Sequence, residues 1–151
     1  MRRFLLDTNI CLAIIRGHQL YGRVVSELAL DADDSLLLIS VVTKAELLAL
    51  GKKLGWGSSK MVKLNHLLDK LFIIDIGSSD DALIKAYYTI DAYSQGVLKD
   101  QPLNQSARNM GKNDLWIAAT SLVANAELIT TDRDFNHLDG SFLKVHTYPL
   151  K

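Results

Sequence analysis

The segment Leu36–Val42, apolar except for Ser40, constrains the fold more than any other stretch of the chain. It lacks the polar–apolar alternation of a half-exposed strand and is bounded by turn residues. That is the pattern of a strand buried on both faces. Short apolar runs at Phe4–Leu6, Phe72–Ile76, Glu127–Thr131 and Leu143–Thr147 read as further strands. Between them, helical patterning predicts helices over Asn9–Arg16, Leu20–Leu30, Thr43–Leu54, Lys60–Leu71, Ser79–Gln95 and Asn113–Ala124. Strands alternating with helices predict an α/β domain with a parallel sheet covered on both faces. Gly96–Gly111 is the one extended irregular stretch, long enough to be a functional or mobile loop.

The chain has 151 residues, enough for one domain with a good core, and residues 1–151 read as a single unit. Lysine plus arginine and aspartate plus glutamate each number 17, so the formal net charge is zero. That balance argues against non-specific coating of a duplex, though not against a nuclease whose bound metal supplies positive charge. The single cysteine, Cys11, excludes an intramolecular disulfide and suggests a reducing compartment. The apolar run at the N-terminus stops at Asp7, too short for a signal sequence or a membrane span. The expectation is a soluble cytoplasmic protein without a membrane partner.

Four carboxylates punctuate this pattern: Asp7 in FLLDTN, Glu46 in ISVVTKAEL, Asp114 in GKNDLWIAAT and Asp132 in LITTDRDF. In an open parallel sheet, ligands bind beyond the carboxyl ends of the strands. Asp7 and Asp132 stand at strand ends, and Glu46 and Asp114 fall in the first turns of their expected helices. All four can therefore meet on one edge. Each also has a local explanation. Thr43 and Glu46 have capping-box spacing, Asn113 is a candidate N-cap preceding Asp114, Asp7 can cap a helix, and Asp132 can be a turn residue. Placed together, acids repel, and a divalent cation offsets that cost; hard oxygen ligands suit Mg²⁺ or Mn²⁺. The reading is a metal-dependent phosphodiesterase acting on RNA. Asp134 is a possible supplementary ligand, and Thr8, Asn9, Thr130 and Thr131 can orient the acids or water.

Among the basic residues, Arg108, Lys112 and Arg133 flank the acidic motifs and are candidates for phosphate contact. Lys52, Lys53, Lys60, Lys63 and Lys70 lie between Leu50 and Lys70 against one acid, Asp69; they can form a binding surface, but a solvated helical face is the simpler reading. Trp56, between two glycines, is a candidate for stacking or an interface, and Trp116 for the core. The four histidines show no close metal-ligand spacing, which argues against a zinc hydrolase.

The segments LLDTN, ISVVTKAEL, GKNDLWIAATS and LITTDRDF, in this order, resemble the PIN-domain family, and within it the VapC-like toxins of bacterial toxin–antitoxin pairs. The resemblance spans nearly the whole chain. It implies a three-layer α/β/α PIN-like domain with a central parallel sheet and Mg²⁺- or Mn²⁺-dependent endoribonuclease activity. It implies that Asp7, Glu46, Asp114 and Asp132 form the acidic site, with Asn9 and Thr130 in support. It also implies a homodimer and a cognate antitoxin protein. Gly96–Gly111 is longer than in compact members. Asp7 and Asp114 are then the direct ligands, with Glu46 and Asp132 completing the set directly or through water. Three other readings stand beside it. A Mg²⁺ phosphohydrolase lacks the second downstream aspartate it would need. A non-catalytic RNA- or protein-binding scaffold should have lost an acid. A stand-alone RNA-processing nuclease is not separable from a toxin by sequence.

Overall fold

The computed structural model describes residues 1–150. Its centre is β1 (Arg2–Leu6), flanked by β2 (Ser35–Ser40) on one side and β4 (Glu127–Thr130) on the other. β3 (Phe72–Ile74) and β5 (Val145–Thr147) form the edges, giving the order β3-β2-β1-β4-β5 with every pairing parallel. Parallel strands need crossovers, and the helices supply them on both faces. The fold is a three-layer α/β/α sandwich.

Alternation along the strands separates two cores. Leu5 is paired with Leu38 and with Leu128, and the three enter one core with Ile90, Leu115, Ile117 and Phe135. Phe4, Leu6, Ile39 and Ile129 enter the other, with Ile10, Val24, Leu47 and Leu64. Phe4, Leu5 and Leu6 are wholly buried. Each such side chain contributes roughly 1.5–3 kcal/mol relative to an exposed one, which holds β1 in the centre. The first core is covered by α5 (Asp81–Ser94) and α6 (Lys112–Val123). The second lies under α1 (Thr8–Ile15), α2 (Gln19–Leu28), α3 (Val41–Lys53) and α4 (Ser58–Lys70).

Several boundaries differ from the sequence reading. The strand expected over Leu36–Val42 ends at Ser40, and α3 starts at Val41 rather than Thr43. Ser40 is the cause: its Oγ accepts the Val42 N–H at 3.1 Å and caps the helix. β-Branched Val41 and Val42 enter the helix because tertiary placement outweighs their weak strand preference. The Thr43–Glu46 capping box is therefore absent, and Glu46 lies in the second turn rather than the first. Gly111, not Asn113, occupies the cap of α6. The edge strands are shorter than expected, β3 stopping at Ile74 and β5 beginning at Val145.

The stretch 96–111 is irregular, as expected, but it is anchored. Arg108 N–H donates to the Ser94 carbonyl at 2.8 Å, Leu98 and Leu103 pack on the core, and Met110 is buried. Trp56 is half-buried rather than an open platform, lying over Gly51. A Cβ at Gly51 would stand 3.0 Å from Met61 Sδ and 3.3 Å from the Trp56 ring, so glycine permits this approach. Trp116 is also half-buried and packs on Tyr87, with ring centroids 4.3 Å apart.

Candidate active site

The carboxyl ends of β1 and β4 are joined at Asp7. Its backbone N–H donates to the Ile129 carbonyl at 2.9 Å, extending the ladder one residue past β1. The Asp7 side chain caps α1, its Oδ1 accepting the Thr8 N–H at 2.7 Å. Oδ2 accepts the Thr130 hydroxyl at 2.6 Å. The local capping explanation and the site placement thus hold together: one oxygen starts the helix while the other faces β4. Thr130 in turn accepts the Asp132 N–H at 3.0 Å. Asp132 Oδ1 accepts the Asp134 N–H at 2.8 Å and caps a 3₁₀ helix over Arg133–Leu138.

Glu46 reaches the same place from α3. Its Oε1 accepts the Thr8 hydroxyl at 2.8 Å, and Thr8 Oγ1 stands 3.2 Å from Thr43 Oγ1. Thr43 is wholly buried, so its hydroxyl belongs to this network rather than to a cap. Asp114 projects from the first turn of α6, beside Gly111, where a Cβ would lie 3.7 Å from its Oδ2.

These side chains surround one crevice of about 540 Å³, lined by Asp7, Glu46, Asp114 and Asp132 together with Asn9, Asn113 and a wall of α3 ending in Lys53. Asp7 forms its floor at 5% exposure. Burial holds the Asp7 carboxyl above the usual range against the pull of Thr130 and Thr8, with Glu46 and Asp132 adding to the effect. Asp114 is pushed up to about 7, first by burial and then by the charges of Asp7, Asp132, Glu46 and Asp134. An all-oxygen acidic set with mutual repulsion fits a hard divalent cation chemically. Among the described residues no three His, Cys, Asp or Glu are yet drawn together closely enough to hold an ion. The acids share a crevice, and binding would have to draw them inward.

The remaining candidates are distributed around this centre. Asn9 is exposed on the crevice lip, and Thr130 is wholly buried beneath it. Asp134 stands outside, its carboxylate 3.6 Å from Arg108 Nη1. Arg108 is thereby turned to the 3₁₀ segment, also donating to the Asp134 carbonyl at 3.4 Å, and does not line the crevice. Lys112 is exposed at the start of α6 and does not line it either. Arg133 borders an adjoining depression with Asn9, Thr131, Asp132, Pro149 and Leu150. Of the five lysines weighed in the sequence as a binding surface or a solvated face, only Lys53 lines the crevice; its spacing of seven residues from Glu46, two helical turns, was the signal that singles it out.

The PIN domain family model matches residues 4–141. The chain belongs to the PIN-domain family. Within this family it is 30% identical over 142 residues to Ribonuclease VapC2 of Rickettsia felis, covering 93% of this chain and 96% of that one. Its structure is similar to that of VapBC2 from Rickettsia felis bound to a DNA fragment from their promoter. That match has a TM-score of 0.69 and 25% identity, covering 96% of this PIN-domain chain and 98% of the other. VapBC-1 from nontypeable Haemophilus influenzae shares the fold with a TM-score of 0.66 at 23% identity, covering 96% and 97% of the two chains.

Proposed function

We propose that this PIN-domain protein is an endoribonuclease, the toxin of a toxin–antitoxin pair, acting with Mg²⁺ or Mn²⁺. The observation that carries the reading is the meeting of Asp7, Glu46, Asp114 and Asp132, from four separate points of the chain, around one crevice. The relative named Ribonuclease VapC2 supports RNA as substrate, and the VapBC complexes support a cognate antitoxin. A homodimer is part of the same proposal and rests on the family resemblance.

Asp7, Glu46, Asp114 and Asp132 would hold the cation. When bound, it would supply charge for the scissile phosphate and lower the pKa of a bound water. The protein's own residues do the rest. Thr130 and Thr8 fix the Asp7 carboxylate through both oxygens, so it does not rotate away. Thr8 holds Glu46 toward the same side. Asp114 carries no hydrogen bond from a described side chain and is the acid freest to turn inward. With its pKa raised to about 7, Asp114 would give up its proton on joining a cation's ligand set.

The test is cleavage of RNA by purified protein with Mg²⁺, with Mn²⁺ and with EDTA, beside Asp7→Asn and Asp114→Asn. The expected result is metal-dependent cleavage reduced at least about 100-fold in both variants. Full activity in both would refute the site assignment, and absence of cleavage by the folded wild type under every condition would count against the nuclease reading.

A further inference from the structure

The crevice is acidic at its centre, and a polyanion entering it needs cations at its margins. The structure supplies one on each side. Val42, Ala45, Glu46, Ala49, Leu50 and Lys53 share one face of α3 and form a continuous wall of the crevice. The wall begins near the acids, continues over small apolar side chains and ends at Lys53, the only cation lining the crevice among the described residues. Seven residues separate Lys53 from Glu46, about 10 Å along the helix axis. Lys53 is exposed and makes no ion pair among the described residues. Lys52 precedes it, but the helical rotation carries it off the wall, and it does not line the crevice.

On the opposite side Asn9 and Asp132 form a shared ledge. They line both the crevice and the neighbouring depression that holds Thr131, Arg133, Pro149 and Leu150. Arg133 is exposed and likewise without an ion pair among the described residues. Asp132 therefore sits between the acidic floor and a guanidinium one residue further along the chain.

We infer that an RNA strand crosses the site from Lys53 to Arg133, with each cation gripping a phosphate that flanks the one to be cut. The inference rests on the ribonuclease reading and adds the path of the substrate to it. The small side chains of Ala45 and Ala49 leave room along the α3 wall for the strand between Lys53 and the acids. An acidic peptide would meet the same two cations, but it would also meet four carboxylates with no phosphate for a cation to bridge, so RNA is the favoured occupant.

The experiment measures KM, kcat and salt dependence on a single-stranded RNA oligonucleotide for wild type, Lys53→Gln, Arg133→Gln and the control Lys52→Gln. A contact to a flanking phosphate is made equally in the ground and transition states, so its loss raises KM and spares kcat. KM is expected to rise about tenfold in Lys53→Gln and Arg133→Gln, and the slope of log KM against log salt to fall by about 0.7 for each. The control should match wild type. Binding of the same labelled RNA by fluorescence polarisation, with Asp114→Asn in every chain, reads the path without requiring cleavage. A failure of the nuclease reading is thus separable from a failure of the path. Unchanged KM, affinity and salt slope in both variants would overturn the inference. So would an equal effect of Lys52→Gln, or a loss confined to kcat. Unaltered RNA binding together with weakened binding of an acidic peptide would assign the cations to a protein partner and overturn it as well.

Discussion

Thr130 carries one hydroxyl, and the site uses it in both directions. The proton goes to Asp7 Oδ2 at 2.6 Å, and the oxygen accepts the Asp132 N–H at 3.0 Å. Valine at this position keeps the shape and leaves a buried carboxylate oxygen and a backbone N–H short of a partner. Thr130→Val is expected to lose about 1–3 kcal/mol of stability and about 10- to 100-fold in divalent-cation affinity, while Thr130→Ser restores both. Urea unfolding and cation titration measure the two, and a Val variant with native cation affinity would show that Thr130 does not orient the acids. Asp114 behaves differently because its carboxylate is repelled rather than supported. Its pKa is raised from 3.8 to about 7, so between these values the folded protein binds more protons than the unfolded one. In the absence of divalent ions this group therefore favours the fold below pH 4, and its contribution is lost as pH rises toward 7. Half-burial and solvent screening reduce the effect to about 1–2 kcal/mol. Melting of Asp114→Asn against wild type in EDTA from pH 4 to pH 8 should show the variant gaining relative stability as pH rises. A constant difference across that range would refute the shift.

At the level of elements, the start of α3 decides what Glu46 can do. With Ser40 as the cap, Glu46 is released from backbone duty and turned to Thr8. Ser40→Ala should destabilise by about 1 kcal/mol, whereas Glu46→Gln should leave stability within about 0.5 kcal/mol of wild type. Chemical denaturation distinguishes them, and a costly Glu46→Gln with a neutral Ser40→Ala would restore the Thr43 capping box. The mis-set boundary shows where sequence patterning reaches its end. Two valines after an apolar strand carry strand propensity, and only the side-chain bond from Ser40 marks the change of element. The strands and their neighbours were legible because Leu5, Leu38 and Leu128, and again Phe4, Leu6, Ile39 and Ile129, are apolar on both faces. The acids were legible as residues of the crevice because strand ends and helix starts fix where they emerge. Lys53 was not, because local composition does not state which face of α3 meets the crevice, and Thr43 was expected in a cap whereas its buried hydroxyl meets Thr8. Nor did sequence show how 96–111 is held. Buried His137 lies at 2.6 Å from Ser94 Oγ through Nε2, coupling the base of that stretch to the 3₁₀ segment after Asp132. Burial, assisted by Arg108, holds the His137 pKa below 6.5. The unfolded chain thus takes up a proton first, and stability falls as pH drops below 6.5, opposite in sign to the Asp114 effect. His137→Gln should flatten this acid limb in thermal melts, and an unchanged acid limb would exclude His137 as its source.

On the scale of the whole molecule, the four acids converge from the sheet and from both helical layers, at the edge where α3 of one layer meets α6 of the other. Asp7 and Asp132 follow β1 and β4, Glu46 comes from the helical layer over Leu47 and Leu64, and Asp114 from the layer over Leu115 and Phe135. Without a counter-ion their mutual repulsion acts between the two layers at the carboxyl edge of the sheet. A divalent cation held there would reverse the sign of that interaction and link both layers to the central strands. Since the unfolded chain has no such site, cation binding is linked directly to folding. At a concentration about 100 times its dissociation constant the ion should add about 2.7 kcal/mol, and the melting temperature of a chain this size should rise by about 5–10 °C. Calorimetry with Mg²⁺, Mn²⁺ and EDTA measures this directly. Asp7→Asn should melt at or above the wild-type temperature in EDTA and respond little to either ion, because the substitution relieves repulsion while removing the floor of the site. An undiminished cation response in Asp7→Asn would place the ion elsewhere. A wild type indifferent to both ions would mean that the layers are held by their cores alone and that any cation arrives only with the RNA phosphate.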